Sequence, residues 1–170
     1  ELTLAPEPFV QALRGDVERT GTAGLVAILA FDWRVLSAAQ RLMPQVPIVA
    51  LTEQQPGEDT IRVGSRPASP WLGGLDPGRF DGSVTRLVKA TGAGTWGPDY
   101  LDLDAQRVEQ AHALGLRVVP WTVDEPADME RLLGFNVDGM LTDRPDVLRA
   151  LLEHRGMAVP PGAASAACSE

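Results

Sequence analysis

Short apolar runs alternate with amphipathic stretches along most of the chain. Phe9, Val10, Leu13 and Val17 fall at helical spacing behind Pro6 and Pro8, so the spacing predicts a helix that Gly21 and Gly24 close. Leu25 to Phe31 is apolar at every position, the pattern of a strand covered on both faces in a parallel sheet. Asp32 is placed to cap a second helix with Val35, Leu36, Ala39 and Leu42 inward. Pro44 and Pro47 then lead into a strand over Ile48 to Leu51. Further on, Val84, Leu87 and Val88 suggest a short helix, and Gly94 to Pro98 a weak strand. Asp104 caps a helix with Val108, Ala111 and Leu114 inward, and Gly115 suits the left-handed position that ends it. Leu116 to Val123 is a strand. Asp124 is the expected cap of the next helix, with Met129, Leu132 and Leu133 buried and Asn136 in the left-handed conformation at its end. Val137 to Thr142 reads as a last strand, and Pro145 opens a last helix carrying Val147, Leu148, Leu151 and Leu152.

Two segments break the alternation. Thr52 to Asp81 is rich in Gly, Pro and polar residues, with Trp71, Leu72, Leu75 and Phe80 scattered through it. Loops of that length are uncommon in compact domains unless functional. A lid over a site and a packed surface loop both fit it. Gly156 to Glu170 is a Pro/Ala/Gly-rich tail, expected to be disordered, which leaves 1–155 as the folded domain.

Four strands and a weaker fifth, each followed by a helix, predict an α/β fold with a parallel sheet. A P-loop is absent, and the strand–GxGxxG–helix fingerprint of dinucleotide binding is read as absent too. Several strands end in an aromatic or polar residue beside a helix start: Phe31-Asp32, Trp121-Thr122 and Thr142-Asp143. In a parallel β/α barrel such ends form the catalytic face.

Composition narrows the function classes. Hydrophobic residues make up 44% and charged residues 22% of 170, as in a globular protein. The net charge of -8 argues against nucleic acid or an anionic membrane as partner, while leaving a small phosphorylated substrate open. One cysteine, Cys168, precludes an internal disulfide and leaves cytoplasmic and exported locations both open. The longest apolar run, Gly24 to Phe31, falls far short of the roughly 20 residues that span a bilayer, so no transmembrane segment is expected. The first residue is Glu1, so a processed or truncated N-terminus is expected.

Five segments occur in a telling order: Ala30-Phe31-Asp32-Trp33-Arg34, Gly97-Pro98-Asp99-Tyr100, Ala111-His112-Ala113-Leu114-Gly115-Leu116, Pro120-Trp121-Thr122-Val123, and Val137-Asp138-Gly139-Met140-Leu141-Thr142-Asp143-Arg144-Pro145. Together they resemble the glycerophosphodiester phosphodiesterase family, from about Pro6 to Leu152. The resemblance implies a TIM (β/α)8-barrel, present here as a partial barrel of about five β/α units. It also implies hydrolysis of a glycerophosphodiester to glycerol phosphate and an alcohol, in lipid metabolism, with a divalent metal, Mg or Ca. The family's front half carries HRG, ExD, HD and ExK motifs, which supply the proton-transfer histidines and the metal carboxylates. None of these is read in the chain, so the chain alone is expected to lack catalytic residues and metal ligands and to be inactive.

The resemblance places Trp121 at the barrel mouth, against the glycerol part of the substrate, with Phe31, Asp99 and Thr142 as further lining candidates. Each has a structural alternative: core packing for Trp121 and Phe31, a turn after Pro98 for Asp99, and the ordering of the final turn for Thr142 and Asp143. The family usually has Ser at the positions of Ala30 and Gly97 and Asn at that of Asp124, so polar contacts from those strand ends are in doubt. His112 and His154 both fall on helices, the outer wall of such a barrel, and read as structural or solvent-facing. A degenerate, non-catalytic partial barrel that works by pairing with another chain is the alternative, because two open sheet edges and an exposed interior invite a partner. Another barrel chemistry is less favoured: the one lysine, Lys89, sits in a predicted helix and offers no Schiff base.

Overall fold

The computed structural model describes residues 5–159. The part of the tail after residue 159 therefore lies outside the described residues. A four-stranded sheet forms the centre, with β1 (Ile28–Ala30), β2 (Ile48–Thr52), β3 (Thr95–Pro98) and β4 (Arg117–Val118) in the order β1-β2-β3-β4. Every pairing is parallel, with Ala30 opposite Ala50, Ala50 opposite Trp96 and Trp96 opposite Val118. Helices α1 (Pro6–Thr20), α2 (Trp33–Leu42), α3 (Val84–Ala90), α4 (Ala105–Ala113), α5 (Pro126–Gly134) and α6 (Pro145–His154) supply the connections. The predicted α/β class and unit order are therefore observed.

Burial along β2 alternates. Ile48, Ala50 and Thr52 are buried, whereas Val49 and Leu51 are only partly covered. Period-two alternation puts the first set on one face, with Trp96 and Val118 in register beside it. That face packs against the helices. α2 contributes Trp33, Val35, Leu36, Ala38 and Ala39 to the core, and α4 contributes Val108 and Ala111. The Trp96 indole N–H, wholly buried, donates to the Thr52 hydroxyl at 2.8 Å and joins β3 to β2 inside this layer. The helix starts follow the capping chemistry. Asp32 accepts from the Arg34 N–H at 3.0 Å, and Asp104 from the Arg107 N–H at 2.8 Å. Gly115 and Asn136 take positive φ at 70° and 64°, as predicted for helix ends.

Four expectations change. The first predicted strand pairs only over Ile28–Ala30, and Leu25 is 86% exposed, because β2 lies on one side and no described strand on the other. In the Leu116–Val123 run the ladder is regular only at Arg117–Val118. Pro120 lacks an N–H, although Val119 N–H and Trp121 N–H still donate to Trp96 O and Pro98 O. The predicted last strand is extended but irregular. Asp138 N–H bonds Val118 O and Leu141 N–H bonds Pro120 O, an advance of three residues against two that breaks the register. Gly92-Ala93-Gly94-Thr95-Trp96-Gly97 does spell GxGxxG, but it runs from a turn into β3 instead of from a strand into a helix. It therefore has no helix N-terminus with which to cradle a phosphate.

The Thr52–Asp81 segment is a packed loop. Two 3-10 turns, Pro70–Leu72 and Pro77–Phe80, are capped by Ser69 and Asp76. Ile61 and Leu72 are fully buried, and the Ser69 hydroxyl donates to Thr60 O.

Replacing Trp96 by Phe removes the buried N–H and leaves the Thr52 hydroxyl unpaired. A loss of about 1–3 kcal/mol is expected from urea unfolding. Thr52→Val added to Trp96→Phe is expected to restore part of it, since both partners are then apolar. A double variant no better than the single would refute that role for the bond.

Candidate functional site at the strand ends

The C-terminal ends of the strands open on the face that the helices do not cover. Phe31 follows β1, Glu53 follows β2, Asp99 follows β3, and Trp121 follows the extended run after β4. β1 and β4 are the outermost strands of the sheet. Even so, the Phe31 and Trp121 rings meet edge to face, with centroids 5.4 Å apart and planes at 89°. Three strand spacings of about 4.8 Å separate their backbones. The two rings thus lean over β2 and β3 from opposite sides, as on the inside of a curved sheet.

Trp121 is fixed through both backbone and side chain. It bridges to Asp99, its carbonyl accepts from Tyr100 N–H at 3.0 Å, and its indole N–H donates to Gly97 O at 2.8 Å. With that donor committed, Trp121 offers a bound molecule a ring face and not a hydrogen bond. Gly97 fits this packing closely. A Cβ there would lie 2.7 Å from Leu51 Cδ2 and 3.1 Å from Val49 Cγ1, so two apolar side chains occupy the space that the expected Ser would need.

The other candidates serve local structure. Asp99 is buried at the mouth, and its carboxylate accepts from Leu101 N–H at 2.7 Å, capping the Tyr100–Asp102 turn. The Thr142 hydroxyl donates to Asp124 at 3.1 Å and accepts from Arg144 N–H at 2.9 Å. Asp124 also accepts from Asp143 N–H at 2.9 Å, so it ties the final turn instead of capping α5; Glu125 takes the cap position and makes no side-chain cap bond. Phe31 and Trp121 are thus brought together and Asp99 lies beside Trp121, while Thr142 belongs to a separate network with Asp124.

Phe31 also lines a cavity of about 840 Å³. Leu29 and Leu51 form part of its apolar wall, and Trp71, Glu53, Glu58 and Arg62 come from the second strand end and the long loop. Sequence reasoning missed the carboxylates. Glu53 follows a strand directly, the same signal that singled out Phe31, whereas Asp102 sits in a turn that nothing in the sequence marks. Burial pushes the Glu53 carboxyl up, and Glu58 and Asp99 nearby add to the effect. Burial also pushes Asp102 up, against the bonds it accepts from Gln54 N–H at 2.9 Å and Gln55 Nε2 at 2.7 Å. Those two bonds clasp the root of the long loop to the turn after β3.

Among the described residues no group of three or more His, Cys, Asp or Glu is placed to hold a metal ion. Asp99 spends an oxygen on the Leu101 N–H of its own turn, and Asp102 spends both on Gln54 N–H and the Gln55 side-chain amide. These residues do not fit a divalent metal. His112 pairs with Asp138 at 2.9 Å, and Asp138 also accepts from Val118 N–H, so this pair braces α4 against β4. His154-Arg155-Gly156 spells HRG just beyond the matched stretch. His154 ends α6 and is exposed, so the string lies on a helix end and not at a strand end.

Parallel β/α units in sequential strand order, curled so that the outer strand ends meet, are a portion of a β/α barrel. The model of the glycerophosphoryl diester phosphodiesterase family matches residues 8–147, and the chain belongs to this family. A glycerophosphodiester phosphodiesterase of Bacillus subtilis is 31% identical over 124 residues, covering 73% of this chain and 35% of that protein. The crystal structure of a protein from Silicibacter pomeroyi matches with a TM-score of 0.74 and 29% identity, over 90% of this chain and 46% of that one. A phosphodiesterase of Oleispira antarctica, solved with the product sn-glycerol-3-phosphate, shares the fold with a TM-score of 0.54 and 14% identity, over 76% of this chain and 43% of that one. The chain thus spans less than half the length of each of these relatives.

Asp102 and Glu53 titrate higher in the folded chain than in the unfolded one. The folded state therefore holds more protons in that window. The stability these groups contribute is complete below the ordinary carboxylate range and is lost as pH rises through the raised values. Asp102→Asn removes one of the two titrations. Between about pH 3 and about pH 7 the wild type is expected to lose more urea stability than the variant. An equal or smaller loss in the wild type contradicts the burial account.

Proposed function

We propose that this chain is the rear portion of a glycerophosphodiester phosphodiesterase barrel, with 1–155 as the family portion. The completed enzyme hydrolyses a glycerophosphodiester to glycerol phosphate and an alcohol. The observation that carries this reading is the Phe31–Trp121 pair at the strand ends of a chain whose residues 8–147 match the family. The product bound by the Oleispira antarctica phosphodiesterase is of the same chemical class.

In this reading Trp121 packs its ring against the glycerol carbons, and Phe31 holds that ring upright from the side. Asp99 and Thr142 line the mouth through the turns they order. The half-buried ring pair keeps water off one wall, which strengthens polar contacts made to the phosphate from elsewhere. Acid/base chemistry needs a proton carrier within hydrogen-bond reach of the leaving oxygen. The chain's two histidines face other tasks, on α4 and at the end of α6. The divalent metal, Mg or Ca, and the proton carriers then come from the front motifs of the family.

A second reading, a non-catalytic partial barrel that acts as an assembly partner, draws on the exposed Leu29 and the open side of β1. The two readings separate in one assay. Purified alone, the 170-residue chain is expected to show no turnover of a glycerophosphodiester, and chelator-sensitive turnover by it would overturn the proposal. Joined to a motif-bearing front portion it is expected to turn over substrate, and Trp121→Ala is expected to lower kcat/KM there by about tenfold to a hundredfold. A joined protein that folds and stays inactive favours the assembly reading.

A further inference from the structure

A crevice of about 490 Å³ lies between α3 and α4, on the helix side of the sheet, with Trp96 in its wall. Two guanidiniums line it. Arg107 of α4 is anchored at one end, where Nη1 donates to Asp102 O at 2.7 Å and to Gln54 Oε1 at 3.4 Å. Its Nη2 has no partner among the described residues, and the side chain is 41% exposed. Arg86 of α3 pairs with Asp81 alone, at 3.0 Å, and both of those side chains are more than half exposed. Such a pair is weak and screened, so Arg86 turns to a bound anion at little cost. The Gln54 and Gln110 side-chain amides also line the crevice, and their N–H groups donate to nothing among the described residues. Asp81 is the one carboxylate among the lining residues, so the crevice is locally positive on a chain of net charge -8.

We propose that this crevice binds the phosphate group of a small phosphomonoester, at a site separate from the strand-end mouth and independent of the functional reading above. A guanidinium presents a planar fork that matches two phosphate oxygens, and Arg86 and Arg107 supply one from each wall. The two amides have donors left for the remaining oxygens. A doubly charged monoester gains more from two cations than a singly charged carboxylate does. The volume falls within the roughly 300–1,000 Å³ of small-molecule sites and exceeds what a free phosphate ion fills. The excess suits a short carbon body, which rests on Val84, Ala113 and Leu114. One route ties the crevice to the mouth. The Asp102 carboxylate accepts from Gln54 N–H at 2.9 Å, while Arg107 holds the Asp102 carbonyl. An occupant that draws on Arg107 and on the Gln54 amide therefore bears on the clasp at the root of the long loop.

The test is an NMR titration of the isotope-labelled 170-residue chain with sn-glycerol-3-phosphate, inorganic phosphate and glycerol. The ester is expected to shift the Arg86 and Arg107 Nε–H signals and the Gln54 backbone N–H together. Inorganic phosphate is expected to move the same signals but bind about threefold to tenfold more weakly, for want of the carbon body. Glycerol is expected to move none of them. Arg86→Gln is expected to weaken ester binding about tenfold, and Gln110→Ala about threefold. Both side chains are exposed, so the variants keep the fold. Shifts confined to the Trp121 indole place the ester in the mouth and overturn the proposal, as does wild-type affinity in both variants or equal binding of glycerol. Inorganic phosphate that binds as tightly as the ester assigns the crevice to the free ion and overturns the choice of a monoester.

Discussion

The parallel ladder between β2 and β3 is the constraint on which the rest depends. It sets Leu51 against Gly97 and Thr52 against Pro98. On its helix side it brings Trp96 to Thr52, a buried bond that fails if the register slips by one residue. On the other side it brings Leu51 and Val49 against Gly97, where an added Cβ would force the Leu51 side chain to shift. The Gly97 carbonyl then receives the Trp121 indole, and the indole meets Phe31 from the far edge of the sheet. One register thus fixes both the core and the aromatic wall of the mouth.

Polar groups around the mouth are arranged more for shape than for chemistry. Asp99 caps a turn, Asp102 clasps the root of the long loop, and Asp124 ties the final turn through Thr142 and Asp143. Each carboxylate satisfies backbone N–H groups that would otherwise be left bare where strands end. Arg131 does similar work from α5, reaching Tyr100 O and Leu103 O while its guanidinium lies over Phe135. Glu53 and Glu58 stand apart. They face the cavity with no ion-pair partner among the described residues, and burial with mutual repulsion raises Glu53.

The long loop shows what composition leaves open. Its glycines, prolines and polar residues fit a lid and a packed loop equally, and Ile61 and Leu72 anchor it in the core while Ser69, Asp76 and Asp102 bind its turns. Its fixed placement puts Trp71 and Arg62 beside the strand ends. A wall of this kind shapes what enters the mouth without needing to close over it.

Read alone, the sequence determined the element order, the helix caps at Asp32 and Asp104, the left-handed ends at Gly115 and Asn136, and the family. These depend on local chemistry or on strings of residues close together in the chain. Tertiary structure decided the rest. Strand lengths followed from which neighbours were present to pair, so Leu25 to Phe31 shrank to three residues and Val137 to Thr142 lost its register. Asp124 left its expected cap for Thr142 because that hydroxyl and the Asp143 N–H came within reach only after folding. The Phe31–Trp121 contact joins residues ninety positions apart, and no local pattern encodes how far a sheet curls. The mouth was legible as a set of strand ends; which of its residues touch, and which are spent on backbone, only the packed sheet could settle.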